Sequence, residues 1–204
     1  MRLLFTVLAA LVLAQCAGRE DERFAVGEAP NGYVIIGLAE TADAREPRYA
    51  VLWRLLGPDG RFTEYDDARA FERATNARRS LRVNGLPGEF LMAELPPGTY
   101  ALDSVFATLR EHGVTYFAQG VVEGPERPAF DVRPGEASYL GIWELSLDGT
   151  TATVRPWRLD SADMARVTRA ANATRGPVVL QETRTVSAPC EPHRMSNRTQ
   201  RQIC

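Results

Sequence analysis

Ala137–Leu147 (ASYLGIWELSL), Asp148-Gly149 and Thr150–Leu159 (TTATVRPWRL) decide how this chain folds. Two runs rich in apolar, aromatic and β-branched residues flank an Asp-Gly pair, the strongest short-range signal for a β-hairpin. A two-residue Asp148-Gly149 turn pairs Leu147 with Thr150, Leu145 with Ala152 and Trp143 with Val154. Successive strand residues point to opposite faces, so Tyr139, Trp143, Leu145 and Leu147 form the face meant for a core. Glu144 and Ser146, opposite Thr153 and Thr151, form the solvated face. Leu140 and Ile142 interrupt that solvated face and need a cover, for which Trp157 is the candidate.

Working outward, the same grammar repeats. Gly32–Glu40 (GYVIIGLAE) and Tyr49–Gly57 (YAVLWRLLG) are bounded by Asn31-Gly32 and Pro58-Asp59-Gly60. In the latter turn Pro fixes φ and Gly accepts a positive one. Glu89–Leu95 runs into Pro96-Pro97-Gly98, followed by Thr99–Leu109, a break at His112-Gly113, and Val114–Val122. Short strands at this spacing predict a mainly β fold, an antiparallel β-sandwich. Two stretches read as helices. Ser161–Arg175 has Asp160 or Ser161 as cap, Met164, Val167 and Ala171 on one face, and Gly176-Pro177 as its stop. Asp66–Arg79 has acids first and arginines last, in agreement with a helix dipole, but an apolar stripe of little more than Ala68 and Phe71. Val178–Thr185 reads as one more edge strand, and residues 187–204 as an irregular tail.

The chain has 204 residues, 45% of them apolar and 25% charged, with a formal net charge of −2. That is enough apolar material for one core, which excludes wholesale disorder. The near-neutral balance argues against a nucleic-acid partner. All 24 basic residues are Arg, the expected imprint of a GC-rich coding sequence. With no Lys, every mechanism needing a lysine nucleophile, a Schiff base or a phosphate-loop lysine is excluded.

Arg2 followed by the apolar run Leu3–Leu13 is too short for a membrane span, which takes about 20 residues, and has the make-up of a secretory signal peptide. Leu13-Ala14-Gln15-Cys16 resembles the bacterial lipobox, with Gln15 standing where that pattern has Gly, Ala or Ser. The resemblance implies cleavage after residue 15 and lipidation of Cys16. Plain signal cleavage after Ala14 is the competing reading. Residues 16–30 then serve as a polar tether, 31–186 as the sandwich domain, and 187–204 as the tail. Ala17 rather than Asp after the cysteine implies, by the same resemblance, the outer membrane of the bacterial envelope, facing the periplasm; a periplasmic or secreted soluble protein is the alternative. Anchoring would rest on the acyl chains, two or more of which suffice. An exported chain meets an oxidising compartment. With Cys16 lipidated, Cys190 and Cys204 remain as a pair expected to form a disulfide across the tail.

Leu95-Pro96-Pro97-Gly98-Thr99-Tyr100 resembles the Pro-Gly-x-Tyr turn of transthyretin-like and carboxypeptidase-regulatory-like β-sandwich modules, where it launches a strand whose Tyr enters the core. Phe130–Gly141 (FDVRPGEASYLG) resembles a phrase of bacterial envelope lipoproteins. These likenesses cover roughly residues 90–147; they imply a fold and a compartment and carry no active site.

Catalytic chemistry finds little footing. His112, in Arg-Glu-His-Gly, reads as an exposed hairpin tip. Cys190, His193 and Cys204 could be three metal ligands, but a structural zinc site takes four, and the disulfide is the expected state. Glu123, Glu126, Asp131 and Glu136 read as solvated loop acids rather than a converging pair. Trp53, Trp143, Trp157, Tyr116 and Phe117 are candidates for a binding face, with the core as the ordinary alternative. The ten arginines from Arg45 to Arg110 read as mixed-charge surface. The expectation is therefore a lipid-anchored binding or structural module with a possible envelope protein partner. No enzyme activity, cofactor or metal is expected. A carbohydrate-binding accessory or small hydrolase is the alternative; it requires a concave pocket with convergent acids.

Overall fold

The computed structural model describes residues 22–65, 70–74, 81–83, 85–121 and 124–204. In chain order the strands are β1 (Phe24–Ala25), β2 (Gly32–Glu40), β3 (Arg48–Leu55), β4 (Ala70–Ala74), β5 (Leu81–Val83), β6 (Leu86–Leu95), β7 (Gly98–Glu111), β8 (Val114–Val121), β9 (Glu126–Val132), β10 (Ala137–Asp148) and β11 (Thr151–Arg158). Helix α1 (Ser161–Ala171) follows. After it come β12 (Thr174–Arg175), β13 (Val178–Leu180), β14 (Arg184–Ser187), β15 (His193–Arg194) and β16 (Gln202–Ile203). The fold is mainly β, with two large sheets face to face. One runs β11-β10-β2-β6-β5 with β13 also on β10; the other runs β14-β9-β7-β3-β4 with β8 also on β7. The second sheet is antiparallel throughout, whereas β2 and β10 in the first are parallel.

Alternation fills the space between the sheets. Val34, Ile36 and Leu38 of β2 with Leu140, Trp143 and Leu145 of β10 meet Tyr49, Val51 and Trp53 of β3 and Tyr100, Leu102 and Val105 of β7. Trp53 and Trp143, from opposite sheets, meet edge to face at 5.4 Å. Burying each such large side chain contributes about 1.5–3 kcal/mol. Tyr100 enters this core and stacks on Phe130 at 5.7 Å. Burial pushes its phenol up to about 12, while its hydroxyl donates to the Pro96 carbonyl at 3.1 Å.

From Ile142 onward the β10–β11 hairpin keeps its expected faces but not its register. Asp148 pairs with Thr151, Leu147 with Ala152 and Leu145 with Val154, so the turn is Gly149-Thr150. Sliding the turn by one residue moves each partner by two, and the side-chain period of two preserves both faces. Tyr139 is a correction. Gly141, at φ 79°, sits in a register shift between Tyr139 and Ile142. The extra residue reverses the phase, as a β-bulge does. Leu140 thus joins the inter-sheet core, and Tyr139 turns to the outer face with Ile35 under Val167 of α1. Ile142 is covered by Trp157, as expected, together with Phe90.

The helix expected over 66–79 is overturned where it is described: Ala70–Ala74 is strand β4, antiparallel to β3. A stripe of two apolar residues offers a helix little to bury, whereas the edge of β3 offers a hydrogen-bonded ladder. Residues 66–69 and 75–79 lie outside the described residues. Helix α1 starts at its expected cap: Asp160 Oδ1 accepts from the Ala162 and Asp163 amides at 2.7 and 3.3 Å. Those two bonds hold its carboxyl below the usual range. The helix ends earlier than Arg175, at the left-handed Asn172, because Thr174 and Arg175 pair with Phe24 and Ala25. That pairing also shortens the expected tether. Phe24 is buried and stacks on Tyr33 at 5.1 Å, so the packed domain begins before residue 31. The single edge strand expected over 178–185 is two: β13 lies parallel to β10, and β14 antiparallel to β9 in the other sheet. No helix among the described residues is long and apolar enough to cross a membrane.

Candidate functional site

Cys190 and Cys204 are joined in a disulfide with their Cα atoms 4.8 Å apart. Neither is therefore a metal ligand, and His193 is exposed with Nδ1 3.2 Å from the Glu191 carbonyl. Cys16 and Glu123 lie outside the described residues. The bridge straps a tail across the outer face of the second sheet. There Ile203, with no exposed surface, fills a gap between Ala50, Leu52 and Phe106, and Arg201 lies 4.8 Å over the Phe106 ring. Gln119 secures β16 twice: its Oε1 accepts from the Gln202 amide at 2.9 Å, and its Nε2 donates to the Gln202 carbonyl at 3.0 Å.

Under the strap lies a group of charges that the sequence reading missed. The pairing of β3 with β7 shifts register at Leu52/Trp53, which turns both Asp103 and Ser104 outward. Asp103 is fully buried; it accepts from Arg54 Nη1 at 2.8 Å, from the Cys204 amide at 3.0 Å and from Ser104 Oγ. Arg127, equally buried, donates to the carbonyls of Ala188, Leu102 and Asp103 at 2.8, 3.2 and 3.3 Å. Desolvation lowers its pKa, and Asp103 opposes that shift. The Phe62 ring lies 5.2 and 5.3 Å from the two guanidinium carbons. Arg54 is thus no part of a mixed-charge surface. Sealed from solvent and matched to backbone carbonyls, this constellation fastens loops and offers nothing to a substrate.

The loop acids among the described residues do not converge. Asp131 accepts from Arg184 at 2.8 and 3.2 Å and from Thr99 Oγ1 at 2.7 Å. The Arg184 bonds, more than any other cause, hold its carboxyl below the usual range. Glu136 is taken by Arg133 and Ser138, and Glu126 is exposed. A depression of about 330 Å³ does open beside the β2–β3 loop, lined by Glu40, Asp43 and Glu46 among others. Asp43, however, is clamped at 2.7 Å by Arg45, and that hydrogen bond lowers its pKa. A general acid needs the opposite shift.

Of the aromatic candidates, Trp53 and Trp143 are core, while Tyr116 and Phe117 are not. His112 and Gly113, at φ 48° and 82°, form the two-residue turn joining β7 and β8; positive φ at both positions matches the twist of a hairpin. Between the turn and Ala118, which is buried, β8 turns its side chains to solvent. Val114, Tyr116 and Phe117 are 49%, 50% and 61% exposed, half of the large exposed hydrophobic side chains among the described residues. β8 (VTYFAQGV) carries no charge and no proline, and its backbone pairs with β7 and with no other described strand. Natural edge strands ordinarily carry charges, prolines or bulges that discourage pairing. This one carries none, a signal readable in the sequence; Val114 is the residue that reading passed over.

No family model matches the chain, and no curated protein matches it. Among solved structures, a leucine-rich repeat protein from Bacteroides thetaiotaomicron is similar over 59% of this chain, at 12% identity and a TM-score of 0.32. The chain spans 14% of that protein's length.

Proposed function

We propose that the chain is an exported protein of the bacterial envelope, held at the outer membrane by acyl chains on Cys16. Its sandwich acts as a binding module that takes an extended segment of an envelope protein along the free edge of β8. The observation carrying this reading is the uncharged strand with Val114, Tyr116 and Phe117 in solvent. An added strand would satisfy the edge's backbone groups and cover the aromatic rings, the mode known as β-augmentation. The signal-like Leu3–Leu13 and the lipobox-like residues before Cys16 support the compartment, and so does the Cys190–Cys204 disulfide, since such bonds persist where thiols are oxidised. The buried Tyr100 after Pro96-Pro97-Gly98 supports kinship with transthyretin-like modules.

Two measurements on cells test the proposal. Fractionation should find the wild type with membranes and Cys16→Ala in the soluble envelope fraction; a variant that stays membrane-bound removes the anchor. A photocrosslinker at Tyr116 should yield one discrete adduct that Phe117→Lys abolishes, whereas a crosslinker at Thr153 on the other sheet should yield none. Equal labelling at both positions removes the edge.

A further inference from the structure

β10 changes partners along its outer edge: Ala137–Tyr139 pair with β13, and Ile142–Asp148 with β11. At the break, beside Gly141, a depression of about 260 Å³ opens, its lining including Ile142, Trp157, Arg158, Leu159, Glu182 and Thr183. Trp157 is the one tryptophan of three that reaches solvent, resting partly buried on the cluster that contains Ile142. Leu159 is 37% exposed and widens the apolar wall.

The charges here do not cancel. Arg158 is taken by Asp163 at 2.7 Å and Asp160 at 3.1 Å, and Asp163 also faces Arg166 at 3.5 Å. Arg184, two residues after Glu182, is committed to Asp131 at 2.8 Å. The remaining charge is that of Glu182, exposed and with no ion pair or hydrogen bond among the described residues; the Thr183 hydroxyl beside it has none either. An aromatic ring, an aliphatic wall and one uncompensated carboxylate suit a cation better than any other ligand class. The ring's π-electrons and the carboxylate attract the same charge, and apolar side chains cover the stem that bears it. An anion would meet Glu182, and a neutral sugar would gain nothing from its charge.

We propose that this break in the β10 edge binds an organic cation, an ammonium or guanidinium, carried on an apolar stem. The stem lies along Leu159, the head between Trp157 and Glu182, and Thr183 Oγ1 accepts a further N–H. At this size the pocket holds one such group and not a drug-sized molecule. The cation is either a free amine or guanidine, or a basic side chain of a polypeptide.

Tryptophan fluorescence of the full chain tests the site, because Trp53 and Trp143 have no exposed surface and Trp157 does. Titration with n-butylguanidinium should give a saturable change with a midpoint in the millimolar range, and Trp157→Phe should abolish it. Glu182→Gln, an exposed substitution that leaves the fold intact, should weaken binding about threefold, and n-butylurea, the neutral counterpart, should give no saturable change. A blocked Ala-Arg-Ala peptide binding at least about tenfold tighter assigns the cation to a polypeptide; equal midpoints assign it to a free molecule. The site is refuted by equal responses to n-butylurea and n-butylguanidinium, by no saturation with any cation, or by an unchanged midpoint in Glu182→Gln.

Discussion

Gly141 shows how much one residue settles. At φ 79° it occupies a conformation that costs an L-residue about 1–2 kcal/mol, and a Cβ placed there would come within 2.4 Å of the Arg158 carbonyl oxygen. Gly141→Ala should therefore destabilise the fold by more than about 2 kcal/mol, read as a lower midpoint in urea; an unchanged midpoint would show that the bulge is dispensable. Asp131 makes a prediction with a pH sign. Its carboxyl is held below the ordinary value chiefly by the Arg184 bonds, so the folded state binds its proton less readily than the unfolded chain. The stabilisation is full above about pH 4, the unfolded carboxylate value, and is lost as pH falls through the lower folded value. Asp131→Asn should lower the melting temperature at neutral pH, and the gap to the wild type should close on acidification below about pH 4. A gap that is constant with pH would assign the role to shape rather than charge. Arg184 and Asp131 are both partly exposed, which keeps the effect modest.

At the scale of elements, the C-terminal strap is the clearest case of a segment ordered by what it touches. Its two short strands, β15 and β16, pair over only two residues each, too little for independent stability. Ile203, the Gln119 bonds and the Cys204 amide on Asp103 fix one end, and the disulfide ties that end to Cys190. Closing a loop of this length contributes about 3 kcal/mol in the chain-entropy model. The double substitution Cys190→Ala, Cys204→Ala should lower stability by about that amount and speed amide exchange around Ser104 and Phe106. Fast exchange confined to residues 190–204 would show that the strap does not seal the sheet. Cysteine parity and the oxidising compartment expected of an exported chain pointed to this bridge. What it fastens was not legible, because Asp103 and Ser104 face outward only through a register shift between two strands. Beyond the Gly141 bulge the hairpin was legible to its faces and not to its register, since period-two alternation is blind to a slide of two. The 66–79 stretch misled for a related reason: charge order suggested a helix, but the partner deciding the matter was the edge of β3, distant in sequence.

For the molecule as a whole, one core joins both sheets, and the contact between Trp53 and Trp143 crosses the interface. Sheets that share a core have no separate reason to stay folded, so tryptophan fluorescence and far-ultraviolet circular dichroism should report one coincident urea transition. Two separated transitions would divide the sandwich into independent halves. The first half of β8 stands apart from this cooperative unit, because from Val114 to Phe117 its side chains face solvent. Core residues announce themselves by pattern, but Tyr116 and Phe117 sit in a run that reads equally well as buried strand; only the assembled sheets show that nothing described covers them. Stability and recognition should consequently separate at this edge. Tyr116→Lys and Phe117→Lys replace exposed rings with a charge that edge strands commonly carry. Each should leave the urea midpoint within about 0.5 kcal/mol of the wild type, and each should abolish a crosslink formed from a photocrosslinker at Val114 of the same strand. Substitutions that cost several kcal/mol instead would mean that the rings pack in the folded chain, and the edge would then be structural rather than a place where a partner docks.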